Sequence, residues 1–184
     1  MTMSKLKKDN KKSKKINSTT IILTLALLLL VGFTVVNKLN NSNDKEKTSS
    51  SNKQGKTVLN DNGDLVITKS DISSKATFYP VEVDGTKLEV IAVEAPDGTI
   101  RTAFNTCQVC FSSGRGYYVQ QNDLLICQNC GNRFKTSDVE VSRGGCNPVP
   151  IFDEEKTVND DTIVISNDYL KEAKQIFANW KKGF

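Results

Sequence analysis

Three stretches after residue 75 alternate apolar and polar positions with period two. Residues 76–83 (ATFYPVEV), 87–94 (KLEVIAVE) and 100–104 (IRTAF) are rich in β-branched and aromatic side chains and read as strands. Asp84-Gly85 and Asp97-Gly98 lie between them, and both dipeptides supply the positive φ of tight hairpin turns. A short meander is expected, its last strand leading to Cys107. Residues 116–126 (GYYVQQNDLLI) predict two further short strands turning around 121–123. In NPVPIF, Pro148 and Pro150 exclude both a helix and a central strand. Thr162–Ile165 is another short strand. A helix is then expected over about 168–182, capped by Ser166 or Asn167, with Leu170, Ala173, Phe177 and Trp180 on one face and Lys181 and Lys182 at its negative end. Core packing, rather than a partner groove, explains that aromatic stripe. The pattern predicts an α+β fold, mainly antiparallel strands with a ribbon-like hairpin and a C-terminal helix.

The amino-terminal third is patterned differently. Residues 21–36 (IILTLALLLLVGFTVV) are apolar apart from two threonines. As a helix these 16 residues span about 24 Å, just short of a roughly 30 Å hydrocarbon core. Ser18 to Thr20 and snorkelling Lys15 and Lys38 close the gap. A cleaved export signal has the same look, but no Ala-x-Ala site follows Val36 and no cysteine is placed for lipid attachment, so an uncleaved anchor is expected. Seven lysines in residues 1–15 keep that end in the cytoplasm and send the rest outside. Residues 37–56 are rich in Ser, Asn and Lys and predict a flexible tether. The expected organisation is a basic tail at 1–15, a transmembrane signal-anchor at 16–38, a linker at 39–56 and an extracytoplasmic domain at 57–184, partnered by the lipid bilayer.

Charge follows the same division. Residues 1–56 carry 12 Lys or Arg and 3 acids, whereas 57–184 carry 13 and 18, so the overall +4 describes neither part. A net acidic outer domain without a basic stripe around Tyr117 and Tyr118 argues against nucleic acid as a partner. Absence of histidine excludes Ser-His-Asp and Cys-His catalysis and every imidazole metal site. The only methionines are Met1 and Met3, which excludes a thioether copper site in the domain. The acids at 153–155 and 160–161 read as a solvated loop, and nothing marks the chain as an enzyme.

Chemistry concentrates in the cysteines. All five, Cys107, Cys110, Cys127, Cys130 and Cys146, fall within 40 residues. Two Cys-x-x-Cys boxes 16 residues apart, one at each foot of the predicted hairpin, have the spacing of a four-thiolate metal site. Such a turn lets two sulphurs converge on one ion while backbone amides point at them, and Gly131 permits the left-handed backbone that the second turn needs. Zinc, tetrahedral with sulphur at roughly 2.3 Å, would be purely structural. Iron or an iron–sulphur cluster would use the same thiolates and carry electrons. Disulfides are the third reading, since thiols oxidise outside the cytoplasm and four cysteines pair in three ways. Cys146, in SRGGCNPVPI, is left over by a four-sulphur ribbon. It is either a small buried cysteine in a tight loop or a ligand, redox thiol or partner of the centre.

The run FNTCQVCFSSGRGYYVQQNDLLICQNCGNRFKTSDVEVSRGGCNPVPI resembles the FtrD-like membrane iron–sulphur proteins in its paired Cys-x-x-Cys boxes, its Gly-Tyr hairpin and its Gly-Gly-Cys-Asn-Pro terminus. The resemblance covers roughly residues 81–152. It implies a membrane-associated, extracytoplasmic domain linked with bacterial iron uptake and membrane permeases, containing iron–sulphur and passing electrons. It also implies Cys107, Cys110, Cys127 and Cys130 as ligands, with Cys146 as a further motif cysteine. Longer members carry several membrane helices where this chain shows one candidate span. That span has no ionisable residue and offers no substrate path, so a separate membrane protein would transport. The expected function is a redox or metal-handling accessory to an iron-transport system. The alternatives are a zinc-stabilised module binding a permease and a thiol–disulfide exchanger.

Overall fold

The computed structural model describes residues 52–141 and 143–182. The basic tail and the candidate span at 21–36 lie outside the described residues. Among the described residues, no helix is long and apolar enough to cross a membrane.

The expected meander forms the middle of the largest sheet among the described residues. β1 (Lys53–Gln54), β2 (Val58–Leu59) and β3 (Leu65–Thr68) precede it, and it consists of β4 (Thr77–Val83), β5 (Thr86–Glu94) and β6 (Ile100–Cys107). Val83 pairs with Thr86 across a two-residue turn in which Asp84 and Gly85 both have positive φ, 47° and 76°. That is the conformation Asp-Gly favours, and it matches the twist of the flanking strands. β7 (Tyr118–Gln121), β8 (Leu124–Cys127) and β9 (Arg133–Lys135) follow, then β10 (Pro148–Pro150), β11 (Thr157–Val158) and β12 (Thr162–Ile165). The strands form a five-stranded sheet ordered β1-β4-β5-β6-β10, a four-stranded sheet β11-β12-β3-β2, and a three-stranded ribbon β7-β8-β9. All pairs are antiparallel except β1 with β4. The class is α+β with mainly antiparallel strands.

β10 occupies the edge of its sheet, the place that proline's missing N–H allows. β1 falls within the stretch expected to be tether. Its two residues gain order from β4, and Gly55 extends the pairing by donating to the Phe78 carbonyl at 2.8 Å.

Because side chains alternate along a strand, the central sheet has two buried faces. Tyr79, Val81, Val83, Leu88, Val90 and Phe104 pack against Leu65, Ile67, Ile163 and Ile165 of the four-stranded sheet and against Leu170 and Phe177. On the opposite face, Phe78, Ile91, Val93 and Ala103 pack against Cys107, Cys110, Tyr118, Leu125 and Cys127. The ribbon is therefore part of a core and not a surface appendage.

The C-terminal helix is shorter than its periodicity suggests. α1 (Asn167–Glu172) is capped by Ser166, whose hydroxyl accepts from the Tyr169 N–H at 3.2 Å, and the chain tightens into a 3-10 turn over Ala173–Phe177. Tertiary bonds then take over from helical ones. The Trp180 indole donates to the Asn105 carbonyl at 3.1 Å, and the Lys181 N–H to the Gly114 carbonyl at 2.9 Å. A side chain at Gly114 would collide with the Asn179 carbonyl oxygen, so glycine is required where this terminal strap crosses.

Candidate metal centre

Three parts of the chain deliver sulphur to one place. β6 runs directly into Cys107, which begins the first Cys-x-x-Cys turn. Pairing of Tyr118 with Cys127 places the second turn at the open end of the β7–β8 hairpin. Pairing of Pro148 with Cys107 brings Cys146, two residues earlier in the chain, beside the first turn.

Each turn aims backbone donors at its own leading sulphur. The N–H groups of Val109 and Cys110 point at the Cys107 sulphur, the latter at 3.4 Å. Those of Asn129 and Cys130 point at Cys127, and that of Asn132 at Cys130. Gly131 has φ of 74° and donates to the Cys127 carbonyl at 2.9 Å, closing the second turn in the left-handed conformation expected of it. The Cys146 loop is fixed from the side of the first turn. Gly144 and Gly145 have φ of 95° and 72°. The Gly144 N–H donates to Gln108 Oε1 at 2.8 Å, and the Gln108 N–H to the Asn147 carbonyl at 3.0 Å.

The sulphurs of Cys107, Cys110 and Cys146 lie within 4.8 Å of one another, and so do those of Cys110, Cys127 and Cys130. All five cysteines are free thiols. Cys107, Cys110 and Cys127 are buried, Cys146 is half-buried and Cys130 is exposed. Sulphurs held around one ion at about 2.3 Å stand on the order of 4 Å apart, so this spacing fits metal thiolates. A donor set made only of sulphur suits soft and borderline ions such as zinc and iron.

Crowding makes the thiol cluster electrostatically uneven. Burial pushes the Cys107 thiol up, but the Tyr118 hydroxyl and the two backbone N–H groups outweigh it and hold the thiol below its ordinary range. The Asn132 N–H does the same for Cys130. Burial pushes Cys127 up to about 12. Cys146 is also pushed up to about 12, by its hydrogen bond with Cys130, by burial and by the negative charges of Cys107 and Cys130. Several thiolates this close repel one another, and a cation among them reverses that cost.

Several contributors escape a search for ligand spacing. The Tyr118 hydroxyl donates to the Cys146 carbonyl at 2.8 Å and also reaches the Cys107 sulphur, joining two of the three chain segments. Asn132 Nδ2 donates to the same carbonyl at 2.8 Å. Beneath the ribbon, Asn105 Oδ1 accepts from the Tyr118 N–H at 2.7 Å while its Nδ2 donates to Glu89 at 2.5 Å. Glu89 is the one acid inside the apolar run LEVIAV, and that interruption is its signal in the sequence. Of the acids expected to be solvated, Asp153, Glu154, Asp160 and Asp161 are exposed. Glu155 instead pairs with Arg143 at 2.6 Å and ties down the loop before Cys146.

Residues 62–177 match the family described as membrane iron-sulfur containing protein FtrD-like. The chain belongs to this family. No match to a curated protein or to a solved structure was found. Membership of the FtrD-like family and the gathered thiols agree on a metal-related role, and the family's description is that of a membrane protein. The matched span contains all five cysteines of this FtrD-like chain.

Proposed function

We propose that this FtrD-like protein is anchored by the span at 21–36 and holds thiolate-bound iron, as an iron–sulphur centre, on the outer side of the membrane. There it serves as a redox or metal-handling accessory to an iron-transport system. The observation that carries this reading is the convergence of five free thiols from three chain segments into two overlapping groups. Cys107, Cys110, Cys127, Cys130 and Cys146 would hold the group, which supplies one-electron transfer when bound. The chain's own part is to point backbone N–H groups at the sulphurs, bury three of them against the central sheet and leave Cys130 open to a partner. Donors to sulphur and partial burial are the levers by which a protein tunes such a centre.

The three-stranded ribbon β7–β9 favours one other reading, a zinc-stabilised module that docks on a membrane permease and does no redox chemistry. Colour separates the two. Full-length protein purified without oxygen is expected to absorb visible light and to contain iron and acid-labile sulphide. A colourless protein carrying only zinc would replace the leading reading with the module. Protein with neither metal and with its thiols oxidised in pairs would point to thiol–disulfide exchange.

A further inference from the structure

We propose that the cysteine cluster takes two thiophilic metal ions and that the Cys110 thiolate is common to both. This deepens one part of the reading given above, that these thiolates hold metal, and rests on that part alone. The sulphurs group as three and three with one member shared, Cys107, Cys110 and Cys146 on one side and Cys110, Cys127 and Cys130 on the other. A four-sulphur ribbon would instead gather the two Cys-x-x-Cys boxes around one point and leave Cys146 idle. Each triad has the dimensions of a single ion's sulphur shell, in which neighbouring ligands stand on the order of 4 Å apart.

Three features tie Cys146 to the first triad, and its thiol also hydrogen-bonds Cys130 of the second. β10 pairs Pro148 with Cys107, so the strand register sets its position. Gln108, inside the first Cys-x-x-Cys turn, bonds both Gly144 and Asn147 on either side of it. Tyr118 spans the Cys107 sulphur and the Cys146 carbonyl. A cysteine fixed by this many bonds beside two other thiols is placed to be a ligand.

Charge supports the same count. Two divalent ions offset most of the charge that five ligating thiolates would carry, so all five sulphurs can serve as ligands without a large uncompensated charge in a partly buried site. Binding displaces the thiol protons to solvent and changes no oxidation state, so no further reactant is needed. The ligand class is a soft or borderline divalent ion, with iron, zinc and cadmium as members.

The test uses the full chain, reduced and stripped of metal, then titrated with ¹¹³Cd²⁺ and observed by cadmium NMR. Two cadmium ions per chain are expected, giving two resonances in the sulphur-rich region, each split by scalar coupling to the other through the shared thiolate. Cys146→Ser is expected to reduce the stoichiometry from two to one and to remove the splitting, with circular dichroism showing the fold retained. Cys110→Ser is expected to abolish the splitting. One ion per chain, unchanged in Cys146→Ser, would overturn the two-ion site and leave the thiolate centre of the proposed function standing. Two resonances without coupling would overturn the shared thiolate. A chain that takes no cadmium would overturn both readings.

Discussion

Cys127→Ser is expected to strip the centre of most of its metal and to unsettle the ribbon. Cys127 is 1% exposed, lies at the end of β8 opposite Tyr118, and receives the N–H groups of Asn129 and Cys130 on its sulphur. A serine hydroxyl keeps its proton at neutral pH and is a far weaker ligand for soft ions, so one sulphur group falls from three donors to two. Thiolate metal sites contribute on the order of 10 kcal/mol to folding, and losing one strong ligand forfeits a large part of that. Metal analysis with thermal unfolding, each with and without a chelator, is the check. The wild type should lose stability on chelation, whereas the variant should already melt at the chelated temperature and respond little. A variant with full metal content and unchanged melting would show that Cys127 is not a ligand.

Lys182→Met is expected to destabilise the protein by about 3–5 kcal/mol, the usual cost of leaving a buried charge without its partner. Glu89 is 1% exposed, and Lys182 Nζ donates to both of its oxygens, at 2.6 and 2.5 Å. Among the described residues, the Asn105 amide would remain to compensate the carboxylate. The consequence reaches the sulphurs, because the same Asn105 accepts from Tyr118, whose hydroxyl bridges Cys107 and Cys146. Adding Glu89→Gln should recover at least half of the loss, since the double variant buries no unpaired charge. Urea unfolding of the two variants measures both effects. A loss below about 1 kcal/mol in Lys182→Met would mean that solvent already screens the pair as it does at a surface.

The sequence displays some of these features and conceals others for physical reasons. The meander was legible because β4, β5 and β6 are long enough to show period two, and because Asp-Gly turns have a specific backbone requirement. The β7–β8 hairpin was legible from the same alternation. β12 was legible too, but five other short strands were not: β1, β2, β9 and β11 are too short for a period, and β3, with its LVIT run, makes sense only once Ile163 and Ile165 lie beside it. The helix was overextended because Leu170, Ala173, Phe177 and Trp180 suit an apolar helical face. Beyond the 3-10 turn, Trp180 and Lys181 bond instead to Asn105 and Gly114, far away in the chain.

For the candidate site, spacing identified the cysteines and the role of Gly131, since those depend on local turn geometry. It could not decide whether Cys146 joins the others, because that follows from the register of β10 on β6. Nor could it reveal Tyr118 or Asn105 as the residues that bind the three segments together, since neither has a motif of its own. Each is recognisable only through its partners in the fold.

The most direct measurement is X-ray absorption at the edge of whatever metal the full-length protein holds when purified without oxygen. A first shell made only of sulphur, at about 2.3 Å, is the predicted result. A shell dominated by oxygen or nitrogen, or a chain that holds no metal at all, would contradict the claim that these five thiols share an inorganic centre.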